Sequence, residues 1–161
     1  MKNKRFLMGM LVMVLAFGMT VVSCKDKEEE EDVETNIPGG GTFTLTGIPA
    51  TYNGKYAQFY ASDGTNSIIG AESLNMMTGP TMAKISNGSA KLTLWTGNSN
   101  SGQYTAYKGN GTVTGAYIMI YNSATASSSQ LAASLTLTSV TFTNGNATKA
   151  WSDGTVSQTQ Q

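Results

Sequence analysis

The chain has 161 residues, with 10 basic and 10 acidic side chains, 18 glycines, one cysteine and no histidine. The balanced charge hides an uneven distribution: residues 25–34 hold most of the acid, and beyond Gly41 only Lys55, Lys84, Lys91, Lys108 and Lys149 stand against Asp63, Glu72 and Asp153. So sparse a set forms neither a basic stripe for nucleic acid nor an anionic cluster for a divalent ion, and the lack of histidine excludes a His-based triad, a Cys-His dyad and an ordinary zinc site.

The chain opens with a basic start (Lys2, Lys4, Arg5) and an uncharged apolar run from Phe6 to Val22. That run is at the short edge of what spans a bilayer and somewhat longer than an ordinary signal core, so its end decides between the two. It ends Val21-Val22-Ser23-Cys24. A buried core cysteine or an uncleaved anchor has no need of that ending. It resembles the lipobox of bacterial lipoproteins, which implies a signal peptide over 1–23, diacylglycerol on the Cys24 thiol, and cleavage just before it. Each buried acyl methylene contributes roughly 0.8 kcal/mol, so two or three chains hold a domain on a membrane without a helix. With Cys24 committed to lipid, no thiol remains for a disulfide, and the domain must rest on a hydrophobic core.

Residues 24–41 are expected to form an acidic tether to about Asn36 followed by a hinge at Ile37-Pro38-Gly39-Gly40-Gly41. Like charges keep such a segment extended. Acids directly behind the cysteine also resemble the surface-export signals of some Bacteroidota and spirochaete lipoproteins, while a plain solvated spacer accounts for them equally.

From 42 to 156 the chain is expected to be one all-β domain, followed by a polar tail at 157–161. Asn-Gly occurs four times, at 53–54, 87–88, 110–111 and 144–145, and the pair suits type I′ hairpin turns because both residues tolerate positive φ. Between them lie segments alternating polar with apolar residues, such as Thr42-Phe43-Thr44-Leu45-Thr46, which bury one face of a strand and wet the other. Strands are predicted at 42–48, 54–62, 67–73, 81–86, 89–96, 103–108, 111–122, 133–143 and 146–151. Their number and spacing point to a two-layer antiparallel β-sandwich. A two-residue hairpin at Asn87-Gly88 sets Lys84 opposite Lys91, which costs some stability. In the segment 135–142 the apolar set moves from odd to even positions, which predicts a bulge or sharp bend near Thr138 to Val140. Ile85-Ser-Asn-Gly-Ser-Ala-Lys echoes Phe142-Thr-Asn-Gly-Asn-Ala-Thr, and Ser62-Asp-Gly-Thr echoes Ser152-Asp-Gly-Thr; repeated turn chemistry explains both.

Four segments carry a wider resemblance: Leu15 to Cys24, Gly47-Ile-Pro-Ala-Thr-Tyr-Asn-Gly-Lys-Tyr-Ala57, the Ile85-Ser-Asn-Gly-Ser hairpin, and Val140 to Trp151. Together they look like the small lipoproteins that treponemes carry in many copies. The resemblance covers nearly the whole chain and implies a spirochaete cell envelope and a compact β domain. It brings no activity, cofactor or catalytic residues.

Carboxylate catalysis is the enzymatic chemistry left, and it needs two acids flanking a glycosidic bond. Asp63-Gly64 and Asp153-Gly154 read first as turn formers; Glu72, among apolar neighbours, is the remaining acid of interest. Gly109-Asn-Gly111 lacks the lysine-serine pair of a phosphate loop, and oxygen ligands at calcium-loop spacing are missing around Asp63. The positive signal is aromatic. Tyr52, Tyr56 and Tyr60 recur every four residues, and Tyr117-Met119-Tyr121 falls on one face of a strand. Packing accounts for most of these; those left exposed, with Trp95, Tyr104, Tyr107, Tyr117 and Tyr121 as candidates, suit a glycan or a partner protein. The expectation is therefore a monomeric, non-catalytic, lipid-anchored module of the cell or outer membrane, using no metal or cofactor, with carbohydrate binding as the alternative.

Overall fold

The computed structural model describes residues 36–98, 103–125 and 130–159. The leader, Cys24 and the tether up to residue 35 lie outside the described residues, as do the last two residues of the tail. Among the described residues twelve strands run in chain order: β1 (Thr42–Thr46), β2 (Tyr56–Ser62), β3 (Ser67–Ala71), β4 (Ser73–Asn75), β5 (Gly79–Thr81), β6 (Ala83–Lys84), β7 (Ala90–Asn98), β8 (Gln103–Ala106), β9 (Gly111–Tyr121), β10 (Leu131–Phe142), β11 (Ala147–Ala150) and β12 (Gly154–Thr159). Single 3-10 turns occupy Ala50–Tyr52 and Trp151–Asp153. Each predicted segment contains a strand; β4, β5 and β12 have no counterpart in the sequence reading.

The all-β class holds, but the layering differs from the expected pair of antiparallel sheets. Ten strands form one continuous mixed sheet in the order β11-β1-β7-β3-β2-β9-β10-β12, with β6 added to β2 and β8 to β7, while β4 and β5 pair separately. The mixed element is β1 against β11, a parallel pair from Phe43↔Ala147 to Thr46↔Ala150. Since β11 starts one end of this order yet follows β10 through the short Asn144-Gly145 turn, the sheet curls until its ends nearly meet. The result is barrel-like. β12 then returns antiparallel along β10.

Alternation explains which side is inside. Ala57, Phe59 and Ala61 of β2, Leu92 and Leu94 of β7, and Ala116, Ile118 and Ile120 of β9 all point into one buried cluster, as period-two chains must when one face is dry. Its aromatic spine runs from Phe43 stacked on Phe59 (centroids 4.5 Å apart) through Phe142 to Tyr107, the last two contacts edge-on. Each such pair contributes about 0.5–1.5 kcal/mol beyond its burial.

The parity change in β10 is present, but it is shared. Leu135 and Leu137 are buried, then Val140 and Phe142; on β9 the buried set moves from Val113 to Ala116 and Ile118. Partners stay in step across the change, from Leu137↔Ala116 to Phe142↔Gly111. Both strands therefore switch face together, at Gly115 with φ of 68°, instead of one strand carrying an extra residue near Thr138 to Val140.

The four Asn-Gly pairs divide into two kinds. Asn87-Gly88 and Asn144-Gly145 have positive φ at both residues, 51° and 70°, 50° and 77°, and close two-residue turns between Ser86 and Ser89 and between Thr143 and Asn146. The other two serve these turns: Asn53 Oδ1 accepts the Gly88 N–H at 2.9 Å, and Asn110 Oδ1 accepts the Asn144 N–H at 2.7 Å. Beyond the Asn87-Gly88 turn the arms part, β6 joining β2 with Lys84 opposite Tyr56, and β7 joining β1 with Lys91 opposite Thr44. The expected Lys84–Lys91 opposition is thereby avoided.

Candidate functional site

The outer face of the sheet carries the residues that alternation turns away from the core. Reading across the register gives one continuous row: Thr136 on β10, Tyr117 on β9, Tyr60 on β2, Ile69 on β3, Trp95 on β7 and Ala106 on β8. An adjacent row holds Ser134, Met119 and Gln58.

The Trp95 half of this row is roofed. Leu74 of β4 and Ala71 form a small second cluster with Trp95, and Ile37 and Tyr104 pack against it. The indole Nε1 donates to the Ile37 carbonyl at 2.9 Å, the Ile37 N–H bonds the Leu74 carbonyl at 2.8 Å, and the Gly40 N–H bonds the Leu94 carbonyl at 2.9 Å. Residues 37–41, expected to be a hinge, are thus fastened across the sheet. The other half is open: Tyr60 is 38% and Tyr117 45% exposed, side by side on neighbouring strands, with the Tyr60 hydroxyl 3.0 Å from Ser67 Oγ. Two rings flanked by the hydroxyls of Ser67 and Thr136 make a surface that is apolar on its faces and hydrogen-bonding at its rim.

The five candidate aromatics are therefore not gathered on one open surface. Trp95 and Tyr104 belong to the roofed cluster, and burial raises the Tyr104 phenol pKa, with a further contribution from Tyr60. Tyr107 is buried against Phe142, its pKa raised by burial and then by Asp63. Tyr121 is buried, its hydroxyl donating to Met119 Sδ at 3.2 Å, and burial again raises its pKa. Tyr117 alone of the five is open. Its partner Tyr60 is absent from the candidate set, although the alternation burying Phe59 already placed it on the opposite face.

The carboxylates are dispersed. Asp63 Oδ1 accepts the N–H groups of Asn66 at 2.7 Å and Thr65 at 2.9 Å, which hold its pKa below the ordinary value. Asp153 Oδ2 accepts the Ala150 N–H at 2.9 Å. Both act as turn formers, as their sequence contexts suggest. Glu72 is exposed between β3 and β4 and not buried among the apolar neighbours that flank it in sequence. Two shallow depressions of about 340 and 270 Å³ are lined by glycines, amides, threonines and Lys108, with no carboxylate in either. Among the described residues no three His, Cys, Asp or Glu side chains gather as a metal site, and no helix is long and apolar enough to cross a membrane. No family model matches this chain, and no curated protein or solved structure does.

Proposed function

We propose that this chain is a lipid-anchored cell-envelope lipoprotein whose β domain is a non-catalytic interaction module, with Tyr60 and Tyr117 at the centre of its contact face. The observation that carries the reading is the open cross-strand tyrosine pair in a row whose Trp95 half is roofed by the chain's own β4 and by Ile37. The anchor is argued from the leader and Cys24, and the module's monomeric, cofactor-free character from its composition. Dispersal of Asp63, Glu72 and Asp153 among turns and surface supports the non-catalytic assignment, since a two-carboxylate mechanism needs its acids across one cleft.

A second reading, carbohydrate binding, is favoured by the setting of the same pair. Tyrosine faces stack on sugar rings while the half-buried Ser67 and Thr136 nearby offer hydroxyl groups. A glycan array with the protein and its Tyr60→Ala/Tyr117→Ala variant separates the readings. A glycan bound by the parent and lost in a normally folded variant establishes the sugar reading. A glycan bound equally by both refutes this face as the site. For the envelope assignment, Cys24→Ser is expected to release a folded protein from membranes, and membrane retention of that variant with its leader cleaved refutes the lipid anchor.

A further inference from the structure

The β4–β5 hairpin ends in Asn75-Met76-Met77-Thr78, and its two methionines are turned out to solvent, 73% and 82% exposed. No other large apolar side chain among the described residues is exposed to that degree. The tip has a built shape: Asn75 Oδ1 accepts the N–H groups of Met77 at 2.8 Å and Thr78 at 3.1 Å, and Gly79 turns the chain with φ of 82°. Leu74 roots the hairpin in the cluster around Trp95. Between Glu72 and Lys84 the sequence carries no charge.

The same hairpin receives the incoming chain. Asn36 forms an antiparallel bridge with Asn75, the Asn75 amide donates to Asn36 Oδ1 at 3.2 Å, and the Ile37 N–H bonds the Leu74 carbonyl. The point where the tether reaches the domain therefore lies one residue from Met76. Eleven residues separate Asn36 from Cys24, a length that spans at most about 40 Å fully extended.

We propose that the Met76-Met77 tip is a second membrane contact, seated at the headgroup–acyl boundary of the bilayer that holds the Cys24 lipid; this rests on the lipid-anchor reading. A short tether keeps the bilayer at high effective concentration next to its own exit point, so the apolar protrusion placed there meets lipid repeatedly. Methionine suits that boundary because its unbranched thioether adapts to irregular apolar surroundings. The tip thereby orients the domain on the membrane.

The test uses the acylated full-length mature protein in phosphatidylcholine vesicles. Cys24 is the only cysteine, so acylation leaves Met77→Cys as the one free thiol for an environment-sensitive dye, with Thr141→Cys, on the exposed side of β10, as control. The Met77 probe is expected to shift to the blue on vesicles and to be quenched by spin-labelled acyl chains about threefold or more beyond the control, as an interfacially inserted group is. Equal quenching at both positions overturns the proposal. So does a blue shift that rises with protein concentration without vesicles, which identifies a second copy as the occupant. Intact mass reports acylation independently: an unacylated protein refutes the anchor, whereas an acylated one with an unquenched Met77 probe refutes the tip alone.

Discussion

Placing a methyl group on Gly145 tests the corner where the sheet nearly closes. Gly88 and Gly145 occupy the same position of the same turn type, at φ of 70° and 77°, so Gly88→Ala and Gly145→Ala carry the same left-handed backbone penalty of about 1–2 kcal/mol. Their surroundings differ. A Cβ on Gly88 would meet one backbone atom closely, the Ile48 carbonyl oxygen at 3.0 Å, which must give way by only a few tenths of an ångström. On Gly145 it would meet the Tyr107 carbonyl oxygen at 2.7 Å, Lys108 Cα at 3.0 Å and Gly41 Cα at 3.2 Å, all backbone. That backbone is itself pinned, since Gly145 N–H bonds the Gly109 carbonyl at 2.8 Å and Gly41 N–H the Tyr107 carbonyl at 2.7 Å. Overpacking against atoms that cannot rotate away adds about 1–3 kcal/mol, so Gly145→Ala is expected to cost about 2–5 kcal/mol in all. At roughly 4 °C per kcal/mol for a domain of this size, Gly145→Ala should melt about 4–12 °C below Gly88→Ala. Urea midpoints give the same comparison isothermally. Equal losses in both variants would mean that only turn strain is felt, and that the turn between β10 and β11 does not press on the 107–109 segment.

Trp95→Phe removes the donor to the Ile37 carbonyl and should cost about 1–3 kcal/mol, with new protease cleavage between residues 37 and 41; an intact N-terminal segment under limited proteolysis would refute the roofing role. The phenols of Tyr104, Tyr107 and Tyr121 have raised pKa values in the fold. Their contribution is therefore complete below the ordinary tyrosine value of about 10 and is lost as pH rises through it towards the folded values. Urea midpoints should fall above that pH, less steeply in Tyr121→Phe, and an unchanged slope in that variant counts against its burial.

Period-two alternation made most of the sheet legible, because each strand has one dry face and the apolar residues mark it. It could not show the layering. Whether strands close on themselves or stack as two sheets depends on which edges meet, and the parallel pairing of β1 with β11 joins segments about a hundred residues apart without any local signal. Asn-Gly was informative about backbone conformation at both residues of 87–88 and 144–145, but at 53–54 and 110–111 only the glycine has positive φ and no two-residue hairpin forms. There the asparagine side chain is used as an acceptor for a distant turn, a role that composition alone does not reveal. β12 escaped notice because its residues are mostly polar, and its pairing relies on the free edge of β10.

The aromatic face shows a different limit. Alternation says that Tyr60, Tyr117 and Trp95 leave the core; it does not say what covers them afterwards. Trp95, the most attractive candidate by residue type, is covered by Leu74 and by the glycine-rich stretch that composition marks as a hinge. Those glycines have a steric purpose: a side chain on Gly39 would run into Thr93 and the indole, and one on Gly40 into the Tyr107 backbone. A flat strip of backbone is what can lie against a tryptophan ring. The stretch therefore closes one half of the aromatic row while leaving the tyrosine half open. The same strap brings the chain to the methionine hairpin, so the proposed contact face and the proposed membrane tip are both arranged by residues 36–41.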